Sequence, residues 1–118
     1  MGFGPHLTID GISSDKKSLA NMTHIYNFLD QCPKKIDMTK ITEPYIVKVD
    51  LGFTGMVLIA ESHISVHTYP KTGKVFIDIF SCKPFDISKA LKYAAKYFKL
   101  KDFQSECIQR GKEFPRWK

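Results

Sequence analysis

An α+β fold is what this chain predicts: a two-layer sandwich in which one antiparallel sheet carries two helices on one face. Two observations carry that expectation. Stretches alternating with a period of two, and two longer stretches with apolar residues three and four apart, follow the order strand, helix, strands, helix, strand. Between them lie short turns rich in Gly and Pro, which suit hairpins. At 118 residues there is room for one sheet and one helical layer but not for two cores, so residues 1–118 are read as one domain.

The first strand runs from His6 to Asp10, where Leu7 and Ile9 alternate with Thr8 and Asp10, and it is expected to stop at Gly11. From Ser18 through Asp30, Leu19, Met22, Ile25, Tyr26 and Leu29 fall on one helical stripe, which places Met22 and Tyr26 in the core. Pro33 and the Lys34-Lys35 pair close that helix. Extended pattern resumes at Tyr45 to Val49, and Gly52 and Gly55 mark a close approach before Met56 to Ala60, apolar on both faces and so read as a central strand. Along the next strand His63, Ser65, His67 and Tyr69 share one side, opposite Ile64, Val66 and Thr68. A turn at Pro70 to Gly73 returns the chain through Val75 to Phe80. Asp86 caps a second helix with Ile87, Leu91, Ala94, Ala95 and Phe98 on one face, and Phe103 to Gln109 is the last strand. The face of the sheet away from the helices keeps enough aromatic and aliphatic side chains to call for a partner sheet from a second copy, with Phe76, Asp78, Phe80 and the surroundings of Tyr45 as interface or pocket wall.

Composition narrows the function classes. Hydrophobic residues make up 43% and charged residues 25%, and the longest apolar run, Met56 to Ala60, meets Glu61 at once, so no membrane partner is expected. The opening MGFGPHLTIDG lacks the basic and apolar regions of a signal peptide, and a cytoplasmic location is expected. Cys32, Cys82 and Cys107 are odd in number and widely spaced, against a disulfide framework or a zinc knuckle. The net charge of +6 would favour anionic partners. Yet the basic residues are dispersed, clustering only at Lys34-Lys35, at Lys99 and Lys101, and around Arg110, Lys112, Arg116 and Lys118, with no aromatic-basic groove pattern, so nucleic acid is not expected as a partner.

Chemistry concentrates in Glu61-Ser62-His63-Ile64-Ser65-Val66-His67-Thr68-Tyr69-Pro70 and in Phe80-Ser81-Cys82. The hairpin brings Cys82 toward Glu61 and Ser62. Spacing alone leaves two chemistries open: a nucleophile with its base, or zinc ligation by His63, His67 and Cys82. His6 and His24 have no local support and default to structure or solvent.

The segment from Gly52 through Cys82, with Glu61-Ser62-His63, His67, Gly55 and Cys82 at matching positions, resembles the small bacterial and archaeal S-adenosylmethionine decarboxylases, a pyruvoyl-dependent family. The resemblance implies self-cleavage between Glu61 and Ser62. The serine hydroxyl attacks the preceding carbonyl, the resulting ester is eliminated to dehydroalanine, and hydrolysis leaves a covalent pyruvoyl group derived from Ser62, with no dissociable cofactor and no metal. The pyruvoyl ketone would form a Schiff base with the substrate amine and accept electrons as carbon dioxide leaves. By the same resemblance Thr54 and His67 assist processing together with Glu61, Cys82 returns a proton to the substrate carbon, and Tyr69, Lys71, Val66 and Tyr45 contact substrate. The implied product is the aminopropyl donor for spermidine synthesis, and the implied assembly is a homodimer with its sheets face to face and pocket residues contributed by both copies. Thr54 stands where relatives commonly have serine, Tyr69 where they have tryptophan, and Lys71 where they have an acidic residue. A lysine cannot accept hydrogen bonds from ribose hydroxyls as a carboxylate does. Ornithine or arginine is therefore the alternative substrate, and an unprocessed non-catalytic homologue the alternative protein.

Overall fold

A computed structural model describes residues 3–114; the basic tail residues Arg116 and Lys118 and the first two residues of the N-terminal segment lie outside that range. Seven antiparallel strands form one sheet: β1 (Gly4–Ser13), β2 (Thr39–Lys40), β3 (Tyr45–Val49), β4 (Gly52–Ala60), β5 (Ser62–Tyr69), β6 (Lys74–Ser81) and β7 (Leu100–Arg110). Two helices, α1 (Met22–Lys35) and α2 (Ile87–Tyr97), complete the α+β layers. The order across the sheet is β2, β4, β5, β6, β1, β7, and β3 shares with β2 the outer edge of β4. The hairpins β4–β5–β6 form the centre, and the N-terminal strand slots between β6 and β7.

Period-two alternation decides what is buried. Leu7 and Ile9, Val57 and Ile59, Ile64 and Val66, and Val75, Ile77 and Ile79 turn to the helical side and are essentially inaccessible. Leu19, Ile25, Phe28, Leu29, Cys32, Ala90, Ala94 and Phe98 meet them from the helical layer. Each fully buried large aliphatic or aromatic side chain contributes roughly 1.5–3 kcal/mol by leaving water. The close approach expected at Gly52 and Gly55 is present: a Cβ at Gly52 would collide with the Thr68 carbonyl oxygen, and one at Gly55 would sit 2.8 Å from Leu29 Cδ1.

The first helix departs from its expected span. A 3-10 turn, Lys17–Ala20, comes first, and Asn21 then adopts an extended conformation and accepts the His24 N–H at 3.1 Å. That cap resets the phase of the helix, so Ile25, Phe28, Leu29, Cys32 and Pro33 form its buried stripe. Met22 is therefore 44% exposed rather than in the core, and Tyr26 is half-buried with its hydroxyl donating to Glu43. Pro33 lies inside the last turn instead of ending the helix, and its carbonyl accepts the Ile36 and Met38 N–H groups as the chain turns away. β1 continues past Gly11 because the missing side chain lets Leu100 and Phe103 of the neighbouring strand approach to 3.0 Å of where a Cβ would be. In β4, Met56 and Leu58 are 43% and 44% exposed, a correction to the expectation of two covered faces, since the helices cover only one. The second helix begins as expected, with Asp86 accepting the Lys89 N–H at 3.0 Å.

No helix among the described residues is long and apolar enough to cross a membrane. α1 and α2 are joined by rings: Phe28 packs against Phe98, Tyr97 and Tyr93 at centroid distances of 4.8, 5.3 and 5.7 Å. Phe28→Ala should therefore cost about 3–5 kcal/mol, read as a lower urea midpoint at unchanged slope.

Candidate active site

The junction between β4 and β5 is a single residue, Glu61, with Ile59 opposite Ser62. On its other side Ser62 pairs with Ser81 at the end of β6, so Cys82 stands beside Glu61 and its main-chain N–H donates to the Glu61 carbonyl oxygen at 3.2 Å. Ser81 fixes the turn that presents Cys82. Fully buried, its hydroxyl donates to the Lys83 carbonyl at 2.8 Å and accepts the Lys83 N–H at 3.1 Å. The hairpin thus joins Glu61, Ser62 and Cys82 across the twenty positions that separate the last two.

Ser62 has φ of +131°, a region that side chains other than glycine's rarely occupy. In an L-residue this rotation about N–Cα brings Cβ nearly into eclipse with the preceding carbonyl carbon. A five-membered ring closing Oγ onto the Glu61 carbonyl needs that eclipse. The Oγ also lies 3.3 Å from His63 Nδ1. The junction thus brings together a hydroxyl, the preceding carbonyl and an amide N–H donated to that carbonyl oxygen, the kinds of group that an acyl transfer within a backbone uses.

Thr54 and His67 form a second pair on the open face, with Thr54 Oγ1 and His67 Nδ1 3.0 Å apart. They are not at the Ser62 junction of the same chain. His67 is five residues along β5 from Ser62, about 16 Å at roughly 3.3 Å per residue.

Near that pair the Tyr69 ring meets Phe76 edge-on at 6.0 Å, and the two line a cleft of about 260 Å³ with Leu51, Thr72 and Lys74. Lys71 is exposed in the adjoining turn, and Tyr45 stands 74% exposed on β3. Val66 is fully buried on the helical face, so its side chain is not available to a substrate on the open face; this corrects its place among the expected contacts.

A cluster that joins His63, Asp78 and Phe80 to His6 and Arg110 lies beside Ser62. His63 meets the Phe80 ring edge-on at 6.0 Å, His6 packs on the same ring at 5.5 Å, and the Arg110 guanidinium sits 4.6 Å over it. His6 Nε2 is 3.1 Å from Asp78 Oδ1. His6 is thus part of the open-face surroundings of the junction, although Asp78 is seventy-two residues away along the chain. Its signal was alternation: His6 falls opposite the buried Leu7 in phase. Burial holds the His63 imidazole below its ordinary value, with His6 and Arg110 pushing the same way and Asp78 opposing. His24, by contrast, belongs to the helical layer, stacked on Tyr97 at 4.4 Å. Cys32 is a core residue whose thiol is pushed up to about 12 by burial. Among the described residues no three His, Cys, Asp or Glu side chains converge as metal ligands.

Comparison with known proteins gives one answer. A family model described as S-adenosylmethionine decarboxylase matches residues 5–111. An S-adenosylmethionine decarboxylase proenzyme of Clostridium botulinum Loch Maree is 34% identical over 110 residues, covering 92% of this chain and 95% of that protein. A proenzyme of the same description from Thermoplasma volcanium is 32% identical, covering 94% and 86%. The crystal structure of the adenosylmethionine decarboxylase from Aquifex aeolicus superposes with a TM-score of 0.82 at 28% identity, over 93% of this chain and 92% of that one.

In an NMR titration of Ser62→Ala, His63 should titrate below 6.5. The unfolded chain then takes the proton more readily. Stability from the neutral ring is complete above about pH 6.5 and is lost as pH falls through the folded value.

Proposed function

The chain belongs to the S-adenosylmethionine decarboxylase family of pyruvoyl-dependent decarboxylases, and on that footing we propose that it cleaves itself between Glu61 and Ser62 and then decarboxylates S-adenosylmethionine. The observation that carries this reading is Ser62 at φ +131° beside a Glu61 carbonyl that accepts the Cys82 N–H. Attack of Oγ on that carbonyl exchanges the amide for an ester. Loss of the Ser62 α-proton expels the Glu61 carboxylate, and one water then releases ammonia, leaving residues 62–118 with a pyruvoyl cap. The residues present fit such a group: position 62 is half-buried at the one-residue junction between β4 and β5, with Cys82 and His63 around it. A pyruvoyl group supplies an electrophilic ketone that takes up a substrate amine and the electrons released with carbon dioxide. Cys82, held by the Ser81 turn, delivers the proton to the substrate carbon.

The 16 Å between Ser62 and the Thr54–His67 pair supports assembly as a homodimer with the open faces together. Strands of the second copy then bring His67 and Thr54 of the partner subunit to Ser62. Exposed Tyr45, Met56 and Leu58 would be covered in the same step. One domain of 1–118, located in the cytoplasm, completes the reading, with the product serving as aminopropyl donor for spermidine synthesis.

A second substrate class is favoured by a specific feature. Lys71 offers no carboxylate to ribose hydroxyls, whereas Asp10 and Glu106 line a hollow of about 320 Å³ with Thr8, Gln104 and Ser105 on the open side of β1 and β7. A cationic distal group, as in ornithine or arginine, suits those carboxylates. Carbon dioxide release from the three labelled substrates decides: release from S-adenosylmethionine alone sustains the first assignment, release from a basic amino acid replaces it, and no release points to a non-catalytic homologue.

Three variants test the roles separately. Thr54→Ala and His67→Ala should slow cleavage by about 10²–10⁴ on a denaturing gel time course. Cys82→Ala keeps its main-chain N–H and should still cleave, while decarboxylation falls by a similar factor of about 10²–10⁴.

A further inference from the structure

We propose that His63 is the base that takes the Ser62 hydroxyl proton during self-cleavage, held in place by Phe80 and its surrounding His6, Asp78 and Arg110. The inference rests on the self-cleavage reading and adds to it a residue that the Thr54–His67 pair does not replace. Within one chain His63 Nδ1 lies 3.3 Å from Ser62 Oγ, and no other titratable nitrogen is hydrogen-bonded to that hydroxyl among the described residues.

The step balances without a co-reactant. Oγ gives its proton to Nδ1 as the Oγ–C bond to Glu61 forms, and the carbonyl π pair moves to the oxygen that accepts the Cys82 N–H. Collapse breaks the Glu61–Ser62 C–N bond, and the proton held on His63 passes to the departing amine. The product is an isomer of the starting chain.

For this role His63 must be neutral and must not rotate. Its ring packs edge-on against Phe80, which His6 meets at a tilt at 5.5 Å and Arg110 caps at 4.6 Å. The charged and titratable groups facing it are Asp78 from β6, His6 from β1 and Arg110 from β7, with Glu61 in the junction that precedes its strand; β4 offers only Leu58 opposite. Arg110 and His6 disfavour a positive imidazole, and Asp78 in turn is engaged by His6 at 3.1 Å.

The test follows cleavage of freshly synthesised full-length chain by intact mass between pH 5 and 8, for wild type, His63→Asn, His63→Phe and Arg110→Gln, with circular dichroism on each. His63→Asn keeps an acceptor near the Nδ1 position but cannot carry a proton. The expected result is folded His63→Asn and His63→Phe chains that cleave at least tenfold more slowly and lose the acid limb of the wild-type profile. Arg110→Gln should shift that limb to higher pH, because removing the cation raises the His63 value; a merely structural role for His63 would leave the limb unmoved. Folded His63 variants that cleave at the wild-type rate with the wild-type profile would overturn this role alone. A wild-type chain that stays intact would overturn the self-cleavage reading and this role together.

Discussion

The alternation of β5 is the constraint from which the rest of the structure follows. Ile64, Val66 and Thr68 are locked into the helical side, with the one polar member satisfied by donating its hydroxyl to the Leu19 carbonyl at 2.8 Å. A one-residue slip would bury His63, His67 and Tyr69 and expose the aliphatic set, so the register between β4 and β6 is strongly fixed. With that register set, Ser62 must face Ser81, Cys82 must stand beside Glu61, and Thr54 must face His67. Packing energy on the helical side thereby fixes where the reactive groups stand along the strands.

Stability and reactivity meet at the one-residue junction. A residue held in a sparsely populated backbone region costs on the order of 1–3 kcal/mol and persists only where its neighbours over-determine it. Here the neighbours are the paired strands on both sides of Ser62 and the buried Ser81 hydroxyl that ties off the end of β6. The eclipsed conformation this imposes is poor for an ordinary peptide and favourable for closing a five-membered ring.

Much of this was legible in the chain. The extended stretch at 45–49, the strands over 63–69 and 75–80, the Asp86 cap and the return of Cys82 toward Glu61 are local patterns, and the structure has them. The phase of α1 was not legible, because the Asn21 cap competes with a continuous stripe that starts at Leu19 and only tertiary packing chooses between them. Nor was the helix ending, since Pro33 is tolerated in a last turn whose carbonyls find new donors in Ile36 and Met38. The place of His6 and Arg110 beside Phe80 was not legible for a topological reason: β1 and β7 come from the two ends of the chain and are set next to one another beyond β6 only in the folded sheet. The separation of His67 from Ser62 was hidden by nearness in sequence, since five residues of strand span more distance than a side chain can bridge.

The most direct measurement of the central claim is the denaturing mass of freshly purified wild-type chain before and after treatment with a carbonyl reagent such as phenylhydrazine. The account predicts two species, residues 1–61 unmodified and residues 62–118 gaining one reagent adduct at a new terminal ketone. A single chain of 118 residues that takes up no reagent would contradict it.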